Sequence, residues 1–236
     1  MQKPRFVEDQ VYHIYNRGVE KRKIFTDKSD HLRFIHDLFE FNDKDVVLNV
    51  QRRFNSKTME VQPRSLQSER KPRKILVEIL IFTLMPNHFH LLLKQKRENG
   101  IVKFMHKLGT GYTMYFNQKY ERVGGLFQGR FKATLLSEEA HFIHLPFYIH
   151  SNPLSLINDG GSTSISWQEE VKFLKNYRWS SYLDYIGEKN FPSVTARDFL
   201  LDFYGGGKIY QKEFERWIKE KSENSEKIKE VIIDKE

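Results

Sequence analysis

Apolar positions along this chain alternate between short extended runs and helical stripes. Val11 to Asn16 (Val-Tyr-His-Ile-Tyr-Asn) is β-branched and aromatic and stops at Arg17-Gly18, which predicts a strand. After Thr26 as N-cap, Leu32, Ile35, Leu38 and Phe39 recur at helical spacing, and Asn42-Asp43 close that helix. Ile75 to Leu84 is apolar except for Glu78 and Thr83, the pattern of a central strand buried on both faces. Met85-Pro86-Asn87 is a turn and His88 to Lys94 a second strand, so the two predict a hairpin. Ile101, Phe104, Met105, Leu108, Tyr112, Tyr115 and Phe116 fall on one face of a helix that Gly109 and Gly111 weaken without breaking. Gly124-Gly125 then turns the chain into a strand over Leu126 to Leu136. Ser137 is expected to cap a helix with Glu138 and Glu139 in its first turn, ending near Asn152-Pro153.

The order strand, helix, hairpin, helix, strand, helix predicts an α+β domain over residues 1–153, with helices packed on an antiparallel sheet. Two stretches differ. Residues 51–74 hold eight Lys or Arg against Glu60 and Glu69, with Pro63, Pro72 and several Ser. They belong to an insertion over 43–74 that reads as a mobile basic loop, either a nucleic-acid contact or a solvated insertion with no role. Residues 154–236 read as a mostly helical appendage. It has a Ser/Gly-rich linker (Asp159 to Ser166), an aromatic cluster (Tyr177, Trp179, Tyr182, Tyr185) and a tail. From Lys208 onward the tail has eight basic and eight acidic residues, which predicts an exposed helix and not a DNA clamp.

Composition narrows the function classes. Among 236 residues, 39 Lys or Arg exceed 31 Asp or Glu by 8, and 14% are aromatic. That much aromatic content belongs to a folded chain, and the basic excess makes nucleic acid the leading partner. With no Cys there is no disulfide framework, Cys-ligated zinc, iron–sulfur cluster or thiol nucleophile. No window approaches the roughly 18 apolar residues of a membrane helix, and the N-terminus lacks a signal-peptide core, so a cytoplasmic location is expected.

His88-Phe89-His90 carries the chemistry to weigh first. On a strand, residues i and i+2 share a face, so both imidazoles project together while Phe89 anchors the opposite side. Two readings stand: adjacent ligands to a divalent cation, or ordinary strand histidines. Tyr148 and Asn152 lie four apart on the helix that ends at Pro153 and share its face. A tyrosine hydroxyl with a pKa of about 10 is a poor nucleophile until a metal or base assists it, and the Asn152 oxygen could complete a metal site. Here too the plain alternative is a half-buried aromatic and a helix-terminal residue before proline.

Together these residues resemble a known family. Leu84 to Leu93 (Leu-Met-Pro-Asn-His-Phe-His-Leu-Leu-Leu) is similar to the signature of the single-tyrosine HUH transposases, most of all the REP-associated tyrosine transposases and their insertion-sequence relatives. Tyr12 to Gly18, Gly125 to Lys132 and Tyr148 to Pro153 resemble further segments of that family in the same order, and Tyr177 to Gly187 extends the likeness over residues 8–187. The resemblance implies an RRM-like (ferredoxin-like) sheet. It implies Tyr148 as the nucleophile on a single-stranded or hairpin DNA phosphate, giving a 5′-phosphotyrosine and a free 3′-OH. It also implies Mg²⁺ or Mn²⁺ held by His88, His90 and Asn152. Arg17, Arg52, Arg53, Arg130 and Lys132 are the residues expected to contact DNA, with a β-edge salt bridge as the alternative for Arg17.

Departures and rivals accompany this reading. Pro146 lies inside the proposed helix, two residues before Tyr148, where it bends the axis. The 43–74 insertion lengthens a connection that is short in relatives. His141 and His144 are either proton shuttles or surface histidines. Tyr112, Tyr115 and Tyr120 are competing nucleophiles. Other functions are a binding protein that recognises hairpins without cutting, and a water-using phosphodiesterase for which Glu78 is the nearest carboxylate. Relatives act as homodimers that exchange tyrosine helices or as monomers, and both stay open here.

Overall fold

The computed structural model describes residues 4–45, 52–55, 60–63, 73–157 and 165–223. Strands β1 (Val11–Arg17), β4 (Val77–Met85), β5 (His88–Gln95) and β6 (Lys132–Leu135) form one sheet in the order β4-β5-β1-β6, antiparallel throughout. Helix α1 (Lys28–Glu40) follows β1 and α2 (Gly100–Lys119) follows β5, which gives the β-α-β-β-α-β order of a ferredoxin-like sheet. Between α1 and β4 the insertion carries a separate two-stranded ladder, β2 (Arg52–Asn55) with β3 (Glu60–Pro63). A loop was expected there, and the hairpin is a correction. The side chains of Arg52 and Arg53 lie outside the described residues.

The sheet separates two apolar layers, as the two-sided β4 pattern requires. Tyr12, Ile14, Phe82, Leu84, Phe89, Leu91 and Leu93 pack on one face with Phe34, Ile35, Phe104, Leu108 and Tyr112 of α1 and α2. Burying each such side chain contributes about 1.5–3 kcal/mol. Asp27, not Thr26, caps α1: its carboxylate accepts from the Asp30 N–H, and Asp30 reaches back to the Asp27 N–H. Asn42 then ties the end of α1 to β4, donating to the Val77 carbonyl and accepting from the N–H groups of Leu76 and Val77. The base of the insertion is thereby closed.

The other face is covered by α3 (Glu139–Ser151) and by α4 (Trp167–Asn176), α5 (Tyr182–Tyr185), α6 (Asp198–Tyr204) and α7 (Gly207–Glu223). Val11, Leu80, Ile81 and Leu92 meet Phe147, Ile149, Tyr182, Tyr185, Tyr210 and Phe214 there. The segment before α5 also runs along the outer edge of β4. The Leu84 N–H donates to the Trp179 carbonyl at 2.9 Å and the Ser181 N–H to the Phe82 carbonyl at 3.0 Å, so this sheet edge is closed. Helix α7 is not the exposed helix its balanced charge suggested. Tyr210, Phe214, Trp217 and Ile218 form a buried stripe at helical spacing, and its charges occupy the outer face.

Two further expectations are corrected. Regular pairing covers only Lys132–Leu135, because Gly129 takes a left-handed backbone (φ 69°) that breaks the run begun at Leu126. Before that break the chain still runs beside β1, with Gln128 N–H donating to the Arg17 carbonyl. Helix α3 begins at Glu139 after Glu138, and neither Ser137 nor a side-chain hydrogen bond caps it.

Candidate active site

The site lies on the α3 side of the sheet, where β5, β1 and β6 present alternate residues to one cleft. The two-residue turn at Pro86-Asn87 starts β5 at His88, which puts His88 and His90 on this face and Phe89 in the opposite core. The two imidazole centroids are 5.0 Å apart. Register pairs Arg17 with His88, and Tyr15 with both His90 and Lys132, so these side chains share the face. Tyr148 of α3 meets the His90 ring edge-on with centroids 6.2 Å apart. Asn152, which ends α3 before Pro153, donates its carboxamide N–H to the Tyr148 carbonyl at 3.1 Å.

These groups line a cleft of about 570 Å³ formed by Tyr15, Arg17, His88, His90, Tyr148 and Asn152 with Lys21, Gln128, Arg130 and Lys132 on its rim. No carboxylate lines it among the described residues. Four cations around a recess without opposing charge favour an anion, and phosphate is the anion that arginine and lysine recognise together. Among the described residues Arg17 has no salt-bridge partner; its Nε–H donates to Gln128 Oε1.

Hydrogen bonding fixes the ring atoms the histidines can offer. His90 is buried, and its Nδ1 is 2.9 Å from Nε2 of His13, which is itself buried. The His88 Nδ1 is 2.6 Å from Asn87 Oδ1. Each ring therefore engages its neighbour through Nδ1, His88 as donor because Asn87 Oδ1 only accepts, and Nε2 is the other ring nitrogen, the atom a cation would take. Burial, with His13 and His88 beside it, holds the His90 imidazole well below the ordinary histidine pKa, so the ring is neutral at pH 7, the ligating form. The Asn152 carboxamide uses its nitrogen on the helix, which leaves its oxygen for a cation. Among the described residues no cluster of three or more His, Cys, Asp or Glu side chains is arranged for a metal. The expected ligands, two imidazoles and one amide oxygen, are of types that a divalent cation accepts when it keeps water or substrate oxygens in its other positions.

The competing residues fall elsewhere. Tyr112 donates to the Ile24 carbonyl at 2.6 Å, and Tyr115 and Tyr120 donate to Asp30, all in the α1–α2 layer across the sheet. Burial and Asp30 push the Tyr115 hydroxyl up to about 12. Glu78 pairs with Lys96 at the far end of the β4–β5 ladder. His141 and His144 lie on α3 outside the cleft lining. Sequence reasoning missed His13, Tyr15 and Gln128. Only the alternation His13, Tyr15, Arg17 on β1, three polar or amphipathic residues at period 2, signalled a functional face there.

Comparison with known proteins adds a family. Residues 45–152 match the family model described as Transposase IS200 like, a stretch that includes His88, His90, Arg130, Lys132, Tyr148 and Asn152. No match is found among curated proteins. Among solved structures, a REP-associated tyrosine transposase bound to a REP hairpin aligns with a TM-score of 0.46 at 11% identity, over 83% of this chain and 90% of that one. Over these 108 residues, which carry much of the cleft, the chain is similar to the IS200-like transposases.

Proposed function

We propose that this protein cleaves and rejoins single-stranded DNA at hairpin-flanked sites through a tyrosine–DNA intermediate. The Tyr148 hydroxyl oxygen attacks the scissile phosphorus, the bond from phosphorus to the 3′-oxygen breaks, and the products are a 5′-phosphotyrosine and a 3′-OH. The phenolic proton leaves and the departing 3′-oxygen gains one. Attack by a different 3′-OH reverses the step and frees Tyr148, so strand transfer conserves the phosphodiester and needs no external energy source. His88, His90 and Asn152 would hold Mg²⁺ or Mn²⁺, whose chemistry is to draw charge from a phosphate and orient it. Arg17, Arg130 and Lys132 place the DNA backbone, and the half-buried Tyr15 at the cleft is suited to stacking unpaired bases.

The observation that carries this reading is the meeting of Tyr148 with His90 in a cation-lined cleft, 6.2 Å between ring centroids. No other tyrosine considered for the role lies on that side of the sheet. The test is purified protein with labelled hairpin-flanked single-stranded DNA and Mn²⁺ on a denaturing gel. A slow band that needs metal and vanishes in Tyr148→Phe is expected. Binding without an adduct would point to a recognition protein, and cleavage without an adduct to water as the nucleophile.

A further inference from the structure

Pro146 sits in the interior of α3, two residues before Tyr148. Proline has no N–H, so the carbonyl four residues earlier, that of Phe142, loses its helical partner, and the pyrrolidine ring crowds it. The direction of the residues beyond this defect, Tyr148 included, depends on how it is held. In this structure a hydroxyl from another element occupies it. Tyr204, the last residue of α6, lies with its Oη 2.9 Å from the Phe142 carbonyl and 2.8 Å from the Ile143 carbonyl, placed to donate to both. Its ring packs on Phe147 with centroids 5.2 Å apart. Gly205, with φ 82°, ends α6 at this tyrosine.

A second tie from the same segment lies just beyond Tyr148. His150 is fully buried, with Nδ1 2.6 Å from the Tyr210 hydroxyl and Nε2 2.8 Å from Ser181 Oγ. Helix α3 is thus fastened on both sides of Tyr148 by hydroxyls of residues 181–210, all of which lie after the stretch that matches the family model.

We propose that Tyr204 is a positioning residue for the tyrosine helix: its hydroxyl supplies the hydrogen bond that Pro146 removes and so sets the direction of the Tyr148 side chain toward His90. The claim that this direction matters for cleavage rests on the function proposed above, whereas the hydrogen-bond replacement does not.

Pairing Tyr204 with Pro146 gives a double-mutant test in the full chain. Y204F deletes only the hydroxyl. P146A restores an N–H to the Phe142 carbonyl, so Y204F should matter little in that background. Hydrogen exchange of the α3 amides reports the defect without any activity, and adduct formation with Mn²⁺ and hairpin DNA reports its consequence. Y204F is expected to speed exchange over residues 143–151 by about fivefold, the equivalent of one ordinary hydrogen bond, and to lower kcat at least as much with KM unchanged. In the P146A background the same substitution should change either readout by less than about twofold. Unchanged exchange in Y204F, or equal losses in both backgrounds, would overturn the proposal. If Y204F does not fold, folding of P146A/Y204F upholds the replacement and failure of both overturns it. If the wild-type protein forms no adduct, the function falls while the exchange data still decide the role of Tyr204.

Discussion

His13→Leu isolates what one buried hydrogen bond does for the cleft. His13 and His90 are both nearly inaccessible to solvent, their ring nitrogens are 2.9 Å apart, and their rings stack at 14°. Leucine is close to histidine in volume, so the cavity contribution is small and the loss is that of the hydrogen bond. The His90 Nδ1 would be left buried without its hydrogen-bond partner, which costs about 1–3 kcal/mol. In a chain of this length each kcal/mol lowers Tm by about 2–4 °C. His90 would also lose the partner that orients its ring, and neighbours that fix a ligating imidazole in this way alter metal affinity by about 10–100-fold. Urea unfolding measures the first effect and Mn²⁺ titration by electron paramagnetic resonance the second. His13→Gln, whose amide offers both a donor and an acceptor to His90 Nδ1, should retain most of both. Unchanged stability and unchanged Mn²⁺ affinity in His13→Leu would refute the reasoning, as would a His13→Gln variant that loses as much.

Two other consequences can be checked. Lys119 lies 2.7 Å from Asp27 and 2.7 Å from the fully buried Asp30, and its hydrogen bond holds the Asp27 carboxyl down to about 2. A depressed carboxylate contributes stability above its unfolded pKa and loses it as pH falls, so unfolding free energy should drop between pH 4 and pH 2. Lys119→Met should flatten that window, with an Asp27 share of only about 1 kcal/mol because its partly exposed carboxylate is screened. On the rim of the cleft, Lys132→Gln or Arg130→Gln should weaken single-stranded DNA binding and reduce the slope of log K against log salt by about 0.7 each, measured by fluorescence anisotropy. A slope equal to wild type would remove that residue from the DNA contact.

The parts of the site that were legible in the sequence obey local periodicity. Period 2 on a strand begun by a two-residue turn puts His88 and His90 together, and period 3.6 puts Tyr148 above Asn152. The layers followed from the same patterns, since a strand apolar on both sides requires cover on both. What stayed hidden depends on pairing between distant elements. His13 reaches His90 only through the β1–β5 register, in which His13 opposes Leu92 and Tyr15 opposes His90. Gln128 reaches Arg17 because Gly129 breaks the strand expected over residues 126–136. The tail misled because its balanced charges are conspicuous, whereas the stripe Tyr210, Phe214, Trp217, Ile218 that buries it is read only when the helical period is imposed. Pro146 was visible as a defect, but its repair by Tyr204 comes from a residue 58 positions away in sequence.

The central claim is that Tyr148 takes the DNA, and its most direct test is to locate the bond. Trypsin releases residues 133–172 as one peptide, in which Tyr148 is the only tyrosine. After reaction with hairpin-flanked DNA and Mn²⁺, nuclease trimming and mass spectrometry should find a phosphate-linked nucleotide on that peptide and on no other. A nucleotide on the peptides carrying Tyr112, Tyr115 or Tyr120, or cleaved DNA with every peptide unmodified, would contradict the account.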